Sequence, residues 1–264
     1  MLYAAVAVRA FRRYSTYTTA TLAGIFTNSV FGVIISFTYI AVWHESPRAG
    51  GYEVTDAVTY VWLGQAMLMT VAVWGGGATD DLSTRIRTGD VAIDLYRPTS
   101  LLGWWLASDL GRAGFHLLTR GLAPTLVGAL LFDLRFPHGL GWLWFALSVP
   151  LAVVVSFSIR MLVTASAFWL LDDTGVKQLN AIFAMFLSGL MVPLVIFPGW
   201  TRAVAMALPW SAYLQVPADL WLGQRTGWAA VGGLAFQAGW AVVLLLVCAA
   251  VLRLAERRVV VQGG

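Results

Sequence analysis

The run LAGIFTNSVFGVIISFTYIAVW at residues 22–43 decides the class of the fold. It carries no charged side chain over a length that matches the ~20 apolar residues needed to cross a ~30 Å hydrocarbon core. It is also longer than the 7–15-residue apolar region of a secretory signal, so it reads as a membrane span. The rest of the chain agrees. Of 264 residues, 59% are hydrophobic and only 11% are charged, with a mean hydropathy of +0.76. A soluble domain carries about 25% charged residues, and this chain has too few to cover a water-facing surface. The 13 Trp suit headgroup depth in a bilayer. The sequence therefore predicts an all-α integral membrane protein.

Hydropathy predicts six spans, at 22–43, 57–74, 113–132, 142–171, 179–197 and 229–252. The fourth is long enough that it must tilt, bend or protrude. The third is the most polar, with His116 and Arg120 in its first turns and Pro124 after them, a break that neighbouring helices can satisfy. Before the first span, residues 2–19 read as an amphipathic helix. Arg9, Arg12, Arg13 and Thr16 fall on one face, and Tyr3, Ala7, Ala10, Phe11 and Tyr14 largely on the other, the pattern of a helix lying in the membrane interface. Arg and Lys concentrate in the segments that share a side with the N-terminus, including Arg85, Arg87, Arg97, Arg112, Lys177, Arg253, Arg257 and Arg258. This asymmetry places both termini in the cytoplasm. It also accounts for the net charge of +4 as topology rather than as a nucleic-acid footprint. Cys248 is the single cysteine, so no disulfide framework forms within the chain.

Two connecting segments are too organised for plain loops. Between the second and third spans, TDDLSTRIRTGDVAIDLYRP predicts two short helices around Gly89. Asp80 and Asp81 suit the N-terminus of the first, and Arg85 and Arg87 its C-terminus. Gly89 suits its C-cap, Asp90 can cap the second helix, and Arg97-Pro98 ends it. Val91, Ile93 and Leu95 offer apolar contact. The result is a cytoplasmic bracket at 79–100. Between the fifth and sixth spans, FPGWTRAVAMALPWSAYLQVPADLWLGQ at 197–224 is too apolar for a free loop and too interrupted by Pro198, Pro209 and Pro217 for a span. It predicts re-entrant half-helices dipping in from outside, where irregular backbone needs cover from protein or a cavity.

These segments resemble the ABC-2 type transporter permease family, the membrane subunits of type-V-like ATP-driven exporters. RTGDVAIDLYRP is similar to the family's Gly-Asp…Leu…Arg-Pro segment after the second span. FWLLDDTG is similar to its aromatic-acidic exit from the fourth span, and the Pro-punctuated outer segment to the one before its last span. The likeness extends over essentially the whole chain, although Arg160 inside the fourth span departs from it. The resemblance implies a six-span half-transporter in the bacterial plasma membrane. It would pair with a second permease subunit, identical or paralogous, and each would sit on an ABC ATPase subunit that holds ATP and Mg. Residues 79–97 would hold the coupling helix, 1–20 the connecting helix, and the outer half-helices would help close the exit. The coupling positions carried over are Arg85, Arg87, Gly89, Asp90, Asp94 and Arg97, with Arg9, Arg12 and Arg13 on the connecting helix and Trp200, Pro209 and Trp210 at the outer gate.

The sequence itself holds no G-x-x-x-x-G-K-[ST] loop; the Gly-rich WGGGATDD at 74–81 lacks the Lys and ends in acids. ATP binding, cofactors and catalysis are thus expected in another chain. Asn28, Arg160 and Gln178 are the candidate pathway residues. Counted from Leu171, Arg160 lies about 16 Å into its span at ~1.5 Å per residue. Three readings stand for it: a pathway or gating charge, a structural pair with a polar neighbour, or a snorkelling side chain on a helix that protrudes into the cytoplasm. Asp172 and Asp173 are placed beside the bracket, within reach of Arg85 or Arg87. His44, His116 and His138 show no metal-ligand spacing. A secondary transporter and a membrane-embedded lipid-processing protein are the alternative functions.

Overall fold

The computed structural model describes residues 1–170 and 172–262, with side chains to 257; Leu171, the expected end of the fourth span, and the Arg258 side chain lie outside the described residues. The described residues contain helices and turns and no strand. In chain order the helices are α1 Leu2–Ser15, α2 Thr18–Glu45, α3 Val54–Thr70, α4 Ala78–Thr88, α5 Val91–Leu95, α6 Leu101–His116, α7 Leu122–Leu131, α8 Gly141–Ala165, α9 Ala167–Leu170, α10 Thr174–Leu187, α11 Gly199–Ala207, α12 Gln215–Trp221 and α13 Gly227–Gln262. Among the described residues three helical stretches are long and apolar enough to cross a membrane: Thr18–Glu45, Gly141–Leu170 and Gly227–Arg257.

α3 is the centre of the bundle, and nearly every one of its residues is buried. A helix apolar all round requires neighbours all round. α2 covers one side with a single stripe, Asn28, Gly32, Ser36, Tyr39 and Trp43. Its other face leaves Leu22, Phe26, Phe31, Ile34 and Phe37 exposed. Packing here depends on small residues, as in membrane helices generally. Trp62 of α3 is fully buried, and its ring occupies the places where Gly32 of α2 and Gly128 of α7 lack a side chain.

Three expected boundaries change. The helix that carries the third expected span starts at Leu101 rather than 113, since Ser100 caps it by accepting from the Gly103 amide at 3.2 Å. It runs through a π turn at Leu117–Gly121 into α7. Pro124 has no N–H for the Arg120 carbonyl, and the backbone just before it widens. The helix at the second expected span ends at Thr70 rather than 74, because Ala72 and Gly75 to Gly77 all adopt positive φ. The fifth expected span, 179–197, is a 14-residue helix, α10, that ends before Gly189. Gly189 has φ +88°, and any Cβ there would overlap the Tyr60 hydroxyl. Hydropathy averages over such a turn and does not register it.

α1 uses its apolar face on protein. Tyr3 lies against Gly103 of α6, and Phe11 packs on Phe115 with ring centroids 5.6 Å apart. At Gly111 a Cβ would overlap the Ala7 carbonyl oxygen. Arg9, Arg12 and Arg13 stay exposed on the other face.

Candidate functional site

The polar stretch after α3 folds as a helix pair. The acids Asp80 and Asp81 occupy the first turn of α4 and the bases Arg85 and Arg87 its last, and Gly89 closes it at φ +82°. Asp90 makes no side-chain cap for α5; its carboxylate accepts instead from the Thr88 hydroxyl at 2.9 Å. The turn is braced by Asp94, which is buried and ion-paired to both Arg85 and Arg97, the latter at 3.1 Å. Arg97 also lies over the Trp104 ring, 4.5 Å from its centroid. Of the six coupling candidates, Arg85 and Asp94 thus hold α4 to α5, and Arg97 ties the end of α5 to α6. The other three, Arg87, Gly89 and Asp90, are exposed at the tip. Two apolar side chains join them there, Ile93 at 59% and Tyr96 at 90% exposed.

The inner face of the bracket is seated on an apolar cluster of Leu82 and Val91 with Trp105, Phe157, Met161 and Leu252. Around that seat the polar ties of α4 reach α1, α8 and α10. Asp81 pairs with Arg13 of α1, which holds the Arg13 guanidinium above its usual pKa. Lys177 of α10 bridges Asp80 and Asp173, each at 3.0 Å, and Ser83 donates to Asp173 at 2.8 Å. Of the acids after α9, Asp173 meets the bracket through Lys177 and Ser83, and Arg87, one turn after Ser83 on α4, acts on Asp172 through its charge without an ion pair. Asp172 accepts from the Thr174 amide and hydroxyl, and these bonds hold its carboxyl below the usual range.

Beneath the bracket lies a buried charge cluster. Asp109 of α6 is 0% exposed and is shared by two guanidiniums, Arg112 of the same helix and Arg160 of α8, each at 2.7 Å. Arg112 also donates to the Met69 and Thr70 carbonyls at 2.6 and 3.0 Å. These sit at the C-terminus of α3, where the helix dipole favours a cation. Arg160 donates to the Gly76 carbonyl at 3.3 Å, to the Thr79 hydroxyl at 3.2 Å and to the Ser156 hydroxyl at 3.3 Å. Ser156 in turn donates to the Val71 carbonyl. Arg160 thus joins α8 to α6 and to the root of the bracket. Its donors are committed to partners within the subunit, the structural-pair reading.

The remaining candidates are spread apart. Asn28 is buried and donates to the Gln65 carbonyl at 3.3 Å, tying α2 to α3. Gln178 is exposed on α10. At the other end of α3, Pro209 is buried and Trp210 meets Phe183 of α10 with centroids 6.1 Å apart, while Trp200 stands 76% exposed on α11. His44, His116 and His138 lie on separate elements, and no His/Cys/Asp/Glu group among the described residues is arranged to hold a metal.

A second polar cluster, absent from the sequence expectations, organises the Pro-punctuated segment. Asp219 of α12 accepts from Tyr52 at 2.9 Å, from Gln215 at 2.7 Å and from Arg225 at 3.0 Å. Gln215 accepts in turn from Tyr60 of α3 at 3.1 Å and from the Leu194 amide at 2.8 Å. The signal for it was the i, i+4 pair of Gln215 and Asp219 in an otherwise apolar stretch. For the first cluster it was the i, i+3 pair of Asp109 and Arg112.

The geometry amounts to a rigid two-helix projection, clamped at its root to α1, α3, α6, α8 and α10, with a mixed apolar and charged tip facing outward. Residues 29–263 match the family model described as ABC-2 family transporter protein. No curated protein matches the chain.

Proposed function

The chain belongs to the ABC-2 transporter family, and on that premise we propose that it is the permease subunit of an ATP-driven exporter, with the bracket as its attachment to a separate ABC ATPase. The single observation that carries this reading is the division of labour within the bracket. Arg85, Asp94 and Arg97 lock it internally, and Thr79, Asp80, Asp81 and Ser83 bind it to the bundle. Arg87, Asp90, Ile93 and Tyr96 are left outward. A lever of this kind passes a rigid-body movement from its tip to the helices that hold its root.

On this reading the bracket end faces the cytoplasm and both termini lie on that side of a bacterial plasma membrane. α2, α3, the α6–α7 helix, α8, α10 and α13 make the six crossings, α10 being completed by the turns after it. The chain is a transport subunit, not an enzyme; ATP and Mg are held by the ATPase, which fits the missing phosphate loop. A second permease subunit, identical or paralogous, completes the pathway. The exposed aromatic and aliphatic faces of α2 and α10 suit a drug-like, lipidic or peptide cargo. A secondary transporter needs an ion-coupling charge in the membrane, and the charge of Arg160 is spent on Asp109.

The test is to purify the tagged chain with its ATPase and measure ATP-dependent transport in proteoliposomes. A Gly89→Pro/Asp90→Arg variant should lose ATPase docking or transport with an unchanged thermal melt, because proline cannot adopt the +82° φ of that turn. Docking and transport both unchanged in the variant would sink the reading.

A further inference from the structure

The end of the bundle away from the bracket carries a cavity that the coupling reading leaves unused. Its volume is about 430 Å³, and it lies between the loop at 135–140, the start of α8 and the turn that joins α12 to α13. That size falls in the range of small-molecule pockets, which are mostly apolar with a few placed polar groups. Phe136, Leu140, Trp144, Trp221 and Leu222 supply the apolar lining. Trp221 is held firmly in it. Its ring meets those of Phe145 and Trp142 with centroids 4.7 and 5.1 Å apart, and its Nε1 donates to the Arg135 carbonyl at 2.8 Å.

Charge decides what fits. The charged side chains in the lining are Arg135 and Arg225, joined by the imidazole of His138, and among the described residues no carboxylate lines the cavity. Arg135 commits both terminal nitrogens, to Asp56 at 2.7 Å and to Glu53 at 3.1 Å. Arg225 commits only Nε, which donates at 3.0 Å to Asp219, a side chain just 5% exposed. Its two terminal nitrogens take no hydrogen bond among the described residues. A guanidinium anchored through Nε keeps a pair of parallel N–H groups on its outer edge, the fork that matches a carboxylate. A cationic ligand would find aromatic faces here but also two guanidiniums and no acid. We infer that this cavity binds a small amphipathic carboxylate, its anionic group on the outer edge of Arg225 and its aromatic or aliphatic body against Trp144, Trp221 and Leu222. The inference is independent of the ATPase reading and uses none of the bracket residues.

The probe is 2-naphthoate, and the measurement is saturation-transfer NMR on the full chain in phosphatidylcholine nanodiscs, read against empty nanodiscs. Naphthoate should receive saturation from the protein, and 2-naphthylmethylammonium at the same concentration should not. Arg225→Gln should weaken naphthoate binding about tenfold, the effect of losing a charge-assisted hydrogen bond. That variant leaves the buried Asp219 without its cation, so a thermal melt checks the fold, and if it does not fold, Thr226→Glu carries the test. Thr226 is exposed, lines the cavity and precedes α13, where an acid suits the helix N-terminus. A glutamate there competes for the free edge of Arg225 and should remove naphthoate binding in a folded protein. Unchanged binding in the folded variants overturns the site. Equal binding of the ammonium compound overturns the anionic class of ligand, and displacement of naphthoate by an equal concentration of acetate overturns the role of the apolar body.

Discussion

At the scale of single residues, Asp109 is the position on which the bracket end depends. Two buried guanidiniums share its carboxylate, and removing one partner of a buried pair typically costs about 3–5 kcal/mol because the other charge is left uncompensated. Asp109→Asn should therefore destabilise the protein by that order. Arg160→Met should cost less, because Asp109 keeps Arg112. Thermal unfolding of both variants in phosphatidylcholine micelles makes the comparison, and equal losses would mean that Arg160 and Arg112 act as one unit. The sequence showed Arg160 but not its partner. Starting the third span at 113 left Asp109 and Arg112 in an apparent loop, and hydropathy penalises the very charges that pair inside. The depth of Arg160 was not legible for the converse reason, that a helix longer than the bilayer does not declare which end protrudes.

At the scale of elements, close helix approach rests on absent side chains. Gly111→Leu should push α1 away from α6, since even a Cβ meets the Ala7 carbonyl; hydrogen exchange over 2–15 should rise strongly while exchange in α3 is unchanged. Gly128→Leu collides with the Trp62 ring and should cost about 1–3 kcal/mol, the usual price of overpacking, read as a lowered melting temperature. α4 and α5 were legible because caps and dipole-matched charges are local signals: Asp80, Asp81, Arg85, Arg87 and Gly89 all stand where the sequence places them. The short reach of α10 was not legible. It is set by a turn at Gly189, where both the positive φ and the nearby hydroxyl of Tyr60, far away in sequence on α3, exclude a side chain.

At the scale of the whole molecule, the two polar clusters sit at opposite ends of α3. One holds the bracket, and the other holds the segment that includes Gln215 and Asp219. A central helix gripped at both ends through hydrogen bonds and ion pairs is a direct mechanical connection between the projection and the far side of the bundle. The class of the protein was legible from composition and its family from three ordered motifs. The connection between the ends was not, because it is made by contacts such as Tyr52 to Asp219 and Arg160 to Thr79 that join distant parts of the chain. The central claim is that the bracket tip is where an ATPase takes hold, and the most direct measurement is ATPase copurification with tip variants of the tagged chain. Ile93→Glu/Tyr96→Glu changes only exposed side chains and should abolish copurification while the melting temperature stays at the wild-type value. An ATPase retained at wild-type stoichiometry by that variant would contradict the account.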